Sequence, residues 1–158
     1  MERIASGFIA CLVALMVAAG CGGDGAGDLP SYESARAVVD AMNDGGATCA
    51  DAGAHDPSLF ARDGAAELVR CSPAPGGFPS VSVYHWPEGA EPGVIEEFHR
   101  VTHCSRIDRI AFVAGADWTV QLAIEVDISE AGESAGQDAA LAARIAEATG
   151  GELRTIDC

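Results

Sequence analysis

Residues 31–43 (SYESARAVVDAMN) place Ala35, Val38, Val39 and Met42 at i, i+3, i+4 and i+7, one face of a helix. Asp28 or Ser31 can cap it, and Gly45-Gly46 ends it. Residues 92–104 (PGVIEEFHRVTHC) predict a second helix with Val94, Phe98, Val101 and Thr102 inward and Ile95 at the stripe's edge. Its Pro92 suits a first turn, where the missing N–H has no partner to lose. A third helix over 137–149 turns Leu141, Ile145 and Ala148 inward and stops at Gly150-Gly151. Strict alternation marks strands instead. It runs through 80–86 (SVSVYHW) and through 118–126, where Trp118, Val120, Leu122, Ile124 and Val126 share one face. Further strands are predicted at 65–72, 107–114 and 153–156, with a hairpin turn at Gly115-Ala116-Asp117. Residues 48–63, 73–79 and 129–136 read as loops. The order is α-β-β-α-β-β-α-β. Hairpins interleaved with helices predict an α+β fold: an antiparallel sheet with helices packed on one face and a polar face left wet.

The N-terminal apolar run has a different meaning. Phe8–Ala19 (FIACLVALMVAA) carries no charge, follows Arg3, and is too short to span a bilayer, which fits the apolar region of a secretory signal. Ala18-Ala19-Gly20-Cys21 then resembles the bacterial lipoprotein processing site, with Ala18 where Leu is commoner. That resemblance implies that Cys21 receives a diacylglycerol thioether, gains acyl chains such as palmitate, and becomes the mature N-terminus. The other reading is an ordinary cleaved signal that leaves Cys21 as a thiol. Acyl chains contribute about 0.8 kcal/mol per buried CH₂, so two anchor a protein without a membrane span. Gly22–Asp28 (GGDGAGD) has nothing to bury and reads as a tether. The expected organisation is a signal peptide over 1–20, lipidated Cys21 and linker over 21–30, and one domain over 31–158. The expected location is the extracytoplasmic face of the cell membrane.

Charge narrows the partners. The chain has 158 residues, with 9 Lys+Arg against 24 Asp+Glu and a net charge of −15. Removing residues 1–20 takes away Glu2 and Arg3 and leaves that charge unchanged. So acidic a chain does not hold a polyanion by counterion release, which excludes nucleic acid as a partner. A hydrophobic content of 49% argues against wholesale disorder.

Cys11 leaves with the signal and Cys21 is taken by lipid, so Cys49, Cys71, Cys104 and Cys158 remain. An even set in an exported domain reads as two disulfides, with three possible connectivities. Cys49–Cys71 with Cys104–Cys158 is favoured, because each pair lies within one half of the chain. No two Cys have the close spacing of a metal-ligand or redox pair.

Val113-Ala-Gly115-Ala-Asp-Trp118-Thr-Val120, followed by a helix closed at Gly150-Gly151, resembles small exported lipoproteins of actinobacteria. Those share a V-x-G-x-x-W-x-V hairpin, a helix ending in Gly-Gly, and an early disulfide before a strand pair. The resemblance covers most of residues 31–156 and implies an uncharacterised cell-envelope protein, with no catalytic residues to carry over. This chain lacks the Cys that some relatives carry after the Trp-containing strand.

Chemistry-bearing residues are few. Glu96, His99 and His103 stand at i, i+3 and i+7 on the second helix, where an exposed His pair could take a divalent cation. The spacing is not HExxH, which excludes a zincin. His85 shares a strand face with Val81 and Val83. It reads as a core histidine, or as an acid or base if a carboxylate lies beside it in a cleft. Trp86 and Tyr84 lie on the opposite face and, with Trp118, are candidates to line an apolar groove or to be ordinary packing. There is no nucleophile elbow, phosphate loop or calcium loop. No cofactor is implied. The function expected is a non-catalytic binding or accessory domain for an envelope protein or small ligand. The alternatives are metal-dependent activity at His99/His103 and a purely structural envelope protein.

Overall fold

The computed structural model describes residues 29–56, 65–77, 80–86, 90–104, 108–123, 125–129 and 132–158. The expected signal peptide, the Cys21 attachment site and nearly all of the tether lie outside the described residues. Along the chain the elements are α1 (Ala35–Asp44), β1 (Ala50–His55), β2 (Glu67–Ser72), β3 (Val81–His85), α2 (Pro92–His103), β4 (Arg109–Ala114), β5 (Trp118–Leu122), β6 (Glu125–Ser129), β7 (Gly132–Gly136), α3 (Ala139–Thr149) and β8 (Glu152–Asp157). Six strands form one antiparallel sheet in the order β1-β2-β3-β5-β4-β8, and β6 pairs with β7 in a separate ribbon. The architecture is α+β, as the interleaved periodicities predict. Among the described residues no helix is long and apolar enough to cross a membrane.

Ser34, not Asp28 or Ser31, starts α1: its Oγ accepts from Ala37 N at 3.1 Å. Ser31 is used elsewhere, hydrogen-bonded to the Asp117 carboxylate, so the chain reaches the helix as an extended strap. The predicted face of α1 is fully buried and packs with Leu141, Ala142 and Ile145 of α3 on Val69, Val81, Val83, Val113, Trp118 and Val120. Asp138 caps α3 by accepting from Leu141 N at 2.9 Å, and Gly150 ends it in the left-handed region at φ 69°.

The other face of the sheet is not left wet. Leu68, Tyr84, Thr119 and Phe112, which alternate with the residues above, carry α2, whose Phe98 and His99 are buried on them. The helices therefore lie on both faces, two on one and α2 on the other, because this face carries aromatic side chains that need cover. α2 is also turned from its predicted orientation. Val94 and Val101 are 44% and 70% exposed, while Phe98 and His99 face the sheet.

The strands depart from prediction in two regions. Residues 50–55 pair with β2 despite their Ala, Asp and Gly composition, with a bulge between Ala50 and Gly53 and with Asp51 at φ 54°. β5 ends at Leu122, and residues 129–136, expected to be a loop, mostly belong to the β6–β7 ribbon. The disulfides pair as favoured, Cys49–Cys71 and Cys104–Cys158. The first fastens the start of β1 to β2, and the second joins the end of α2 to the end of β8.

Gly115 of the hairpin and Gly151 of the Gly-Gly pair share one purpose. A Cβ on Gly115 would lie 2.0 Å from Trp118 Nε1, and one on Gly151 would lie 2.5 Å from Trp118 Cη2. The indole is wedged between two backbones that carry no side chain there.

Candidate functional site

Strand register puts polar residues in a row. Arg70 pairs with Ser82, Ser82 with Gln121, and Gln121 with Phe112, all on the α2 side of the sheet. The next row toward the strap is Leu68, Tyr84 and Thr119. At a strand spacing of about 4.8 Å, the Arg70 and Gln121 backbones stand roughly 10 Å apart. α2 covers the Tyr84–Thr119 row and ends at His103, which leaves a hollow over the Arg70 row with Thr102 on its rim. It has a volume of about 150 Å³, is partly open to solvent, and is lined by Leu68, Arg70, Ser80, Ser82, Tyr84, Thr102, Gln121, Leu122 and Ala123. That size lies below the range of drug-sized sites and suits a ligand of only a few heavy atoms.

Two groups set its chemistry. Gln121 is 2% exposed, its Nε2 donates to Leu122 O at 2.9 Å, and its Oε1 has no hydrogen-bond partner among the described residues. A buried carbonyl left without a donor costs about 1–3 kcal/mol, so the site suits a donor that no described residue supplies. Tyr84 is a buried phenol. Burial raises its pKa, against lowering by a hydrogen bond with Ser82 and by the Arg70 charge, so it is a neutral donor and acceptor at ordinary pH.

Thr119 anchors the covered row. Its Oγ1 accepts from Trp86 Nε1 at 3.1 Å and lies 3.2 Å from His99 Nε2. The His99 ring is stacked on Phe112, 4.2 Å between centroids, and has no exposed surface. His99 is thus part of the core, not of an exposed His pair, because its ring has both an aromatic face and a hydroxyl to meet there. Glu96 is half-buried, and the His103 side chain lies outside the described residues. Among the described residues no three His, Cys, Asp or Glu side chains gather as metal ligands.

Trp86 and Trp118 do not share a groove. Both are buried, on opposite faces of the sheet, and Trp118 Nε1 donates to Pro30 O at 2.9 Å. His85 does stand beside a carboxylate, with Nε2 3.8 Å from Asp117 Oδ2. That nitrogen is 2.9 Å from Tyr32 O, a carbonyl that can only accept, so Nε2 carries the proton. Ser31 donates to Asp117 Oδ2, and Tyr32 N donates to Oδ1 at 3.2 Å. These bonds fasten the strap, and Ser31 has no imidazole base in this arrangement.

Of the pocket residues, Tyr84 is a groove candidate in the sequence, whereas Arg70, Ser82 and Gln121 belong to no motif and Thr102 reads only as part of a helix stripe. Their signal was the polar face of two well-predicted strands, Ser80–Ser82–Tyr84 and Thr119–Gln121. Fold and pocket together define an α+β domain with a small polar hollow over an antiparallel sheet. No protein-family model matches this chain, and comparison with curated proteins and with solved structures returned no match.

Proposed function

We propose that this chain is a lipid-anchored, extracytoplasmic protein whose folded domain binds a small molecule without transforming it. The uncharged run at 8–19 and the Ala-Ala-Gly-Cys sequence support anchoring at Cys21, and the likeness to small exported actinobacterial lipoproteins agrees with it. Two disulfides suit an oxidising compartment. The observation that carries the binding half is Gln121, a buried carboxamide with a free acceptor in a hollow that also holds Arg70 and Tyr84. Each half has its own test. Cys21→Ser should release the protein from the membrane fraction of expressing cells, and retention overturns anchoring. A chemically diverse fragment library, screened by NMR, should contain members that shift the Gln121 side-chain amide. A library with no such member overturns binding at this pocket.

A further inference from the structure

We infer that the pocket takes a small carboxylate that also carries an ammonium, the carboxylate on the Arg70 guanidinium and the ammonium on Gln121 Oε1. The inference rests on the binding reading above and adds the ligand's chemical class to it. Arg70 lines the hollow, and a guanidinium presents a planar fork of donors that matches a carboxylate. Gln121 gives one of its two N–H donors to Leu122 O while its Oε1 accepts from no described residue, so the group left unmet there is an acceptor. The two stand in one cross-strand row with Ser82 between them, so a ligand that bridges them lies along the row. Leu68 and the Tyr84 ring flank it with apolar surface suited to a short methylene spacer. The net charge of −15 opposes a ligand that is only anionic and favours one with a cationic end.

The test uses 4-aminobutyrate, butyrate and 4-aminobutyramide as probes, titrated into the disulfide-intact chain. The readout is the NMR shift of the Gln121 side-chain amide and of Arg70 Nε–H. 4-Aminobutyrate should bind about tenfold more tightly than the amide, which lacks the carboxylate, and several-fold more tightly than butyrate, which lacks the donor. Gln121→Met should remove the preference for 4-aminobutyrate over butyrate, read at Arg70 Nε–H. Arg70→Gln should remove the preference for carboxylate over amide. Equal affinities for the three probes, or preferences that survive these substitutions, overturn the ligand class. The three-probe comparison on the unsubstituted chain decides this even if a variant fails to fold. If none of the three probes shifts Gln121 while fragments of other chemistry do, the class falls and the binding reading stands. If neither probes nor fragments shift it, both fall.

Discussion

Gly115→Ala tests whether Trp118 organises this fold. The added Cβ would lie 2.0 Å from Trp118 Nε1 and 2.1 Å from Cε2, inside any van der Waals contact. The ring has nowhere to retreat. It has no exposed surface, Gly151 backs its far edge, and the Tyr32 ring meets it edge-on at a centroid distance of 5.6 Å. Gly115 is not at positive φ, so the cost is steric and not conformational. Overpacking a buried site costs about 1–3 kcal/mol. A ring that turns away also gives up its 2.9 Å bond to Pro30 O, about 1 kcal/mol more. The expected loss is therefore about 2–4 kcal/mol, read from urea unfolding followed by far-ultraviolet circular dichroism with both disulfides intact. Gly93→Ala is the control. A Cβ there meets nothing within 4 Å, and alanine in the first turn of α2 should stabilise by up to about 1 kcal/mol. A Gly115→Ala loss below about 0.5 kcal/mol, the scale of an ordinary surface substitution, would refute the wedged-indole account.

Tyr84 gives a pH prediction. Its pKa is raised, by burial first, so its contribution to stability is present below the unfolded value near about 10 and is lost as pH rises through the folded value. Phenolate absorbance should show a step that comes later in the folded chain than in urea and disappears in Tyr84→Phe. A Tyr84 step at the same pH in both states would count against its burial. The disulfides predict an order. Their sequence separations of 22 and 54 correspond to about 3 and about 4 kcal/mol of loop entropy. Replacing Cys104 and Cys158 by Ser should therefore cost more in thermal unfolding than replacing Cys49 and Cys71. The reverse order would show that loop length does not govern them.

Periodicity located all three helices and five of the strands because each buries one continuous stripe. It failed where something other than a stripe decides. Residues 50–55 have no β-forming composition, and they are held at the sheet edge by pairing with β2 and by the adjacent Cys49–Cys71 bond. The alternation of 118–126 continues past the point where the strand stops. The ladder ends there because Gln137 intervenes, donating from Nε2 to Leu122 O at 3.0 Å and accepting from Ala111 N at 2.6 Å. A side chain distant in sequence replaces a strand neighbour, and local pattern cannot show that. α2 was misoriented for a related reason. Hydrophobicity favoured Val94 and Val101 inward, whereas His99 finds Thr119 and Phe112 on the sheet and goes in. The pocket depends on the same helix placement. The alternation of β3 and β5 shows that Ser82, Tyr84 and Gln121 share a face, but the helix that roofs part of that face is known only once α2 is placed.

Strap and pocket stand at opposite ends of the same strands. The strap meets the sheet at the His85 end of β3 and the Trp118 end of β5, where Pro30 O accepts from both Trp118 Nε1 and Ala116 N. The pocket opens toward Ser80 and Ala123, past the other ends of those strands. A strand as short as β3 separates the two by about 13 Å. If the proposed anchor is at Cys21, tension on the tether reaches the fold at Pro30–Tyr32. It passes into the β4–β5 turn through Asp117 and the indole before it reaches α1. The pocket row at Arg70, Ser82 and Gln121 lies outside that path. Under the proposed anchoring, the domain is tethered at one end without strain on the Arg70 row.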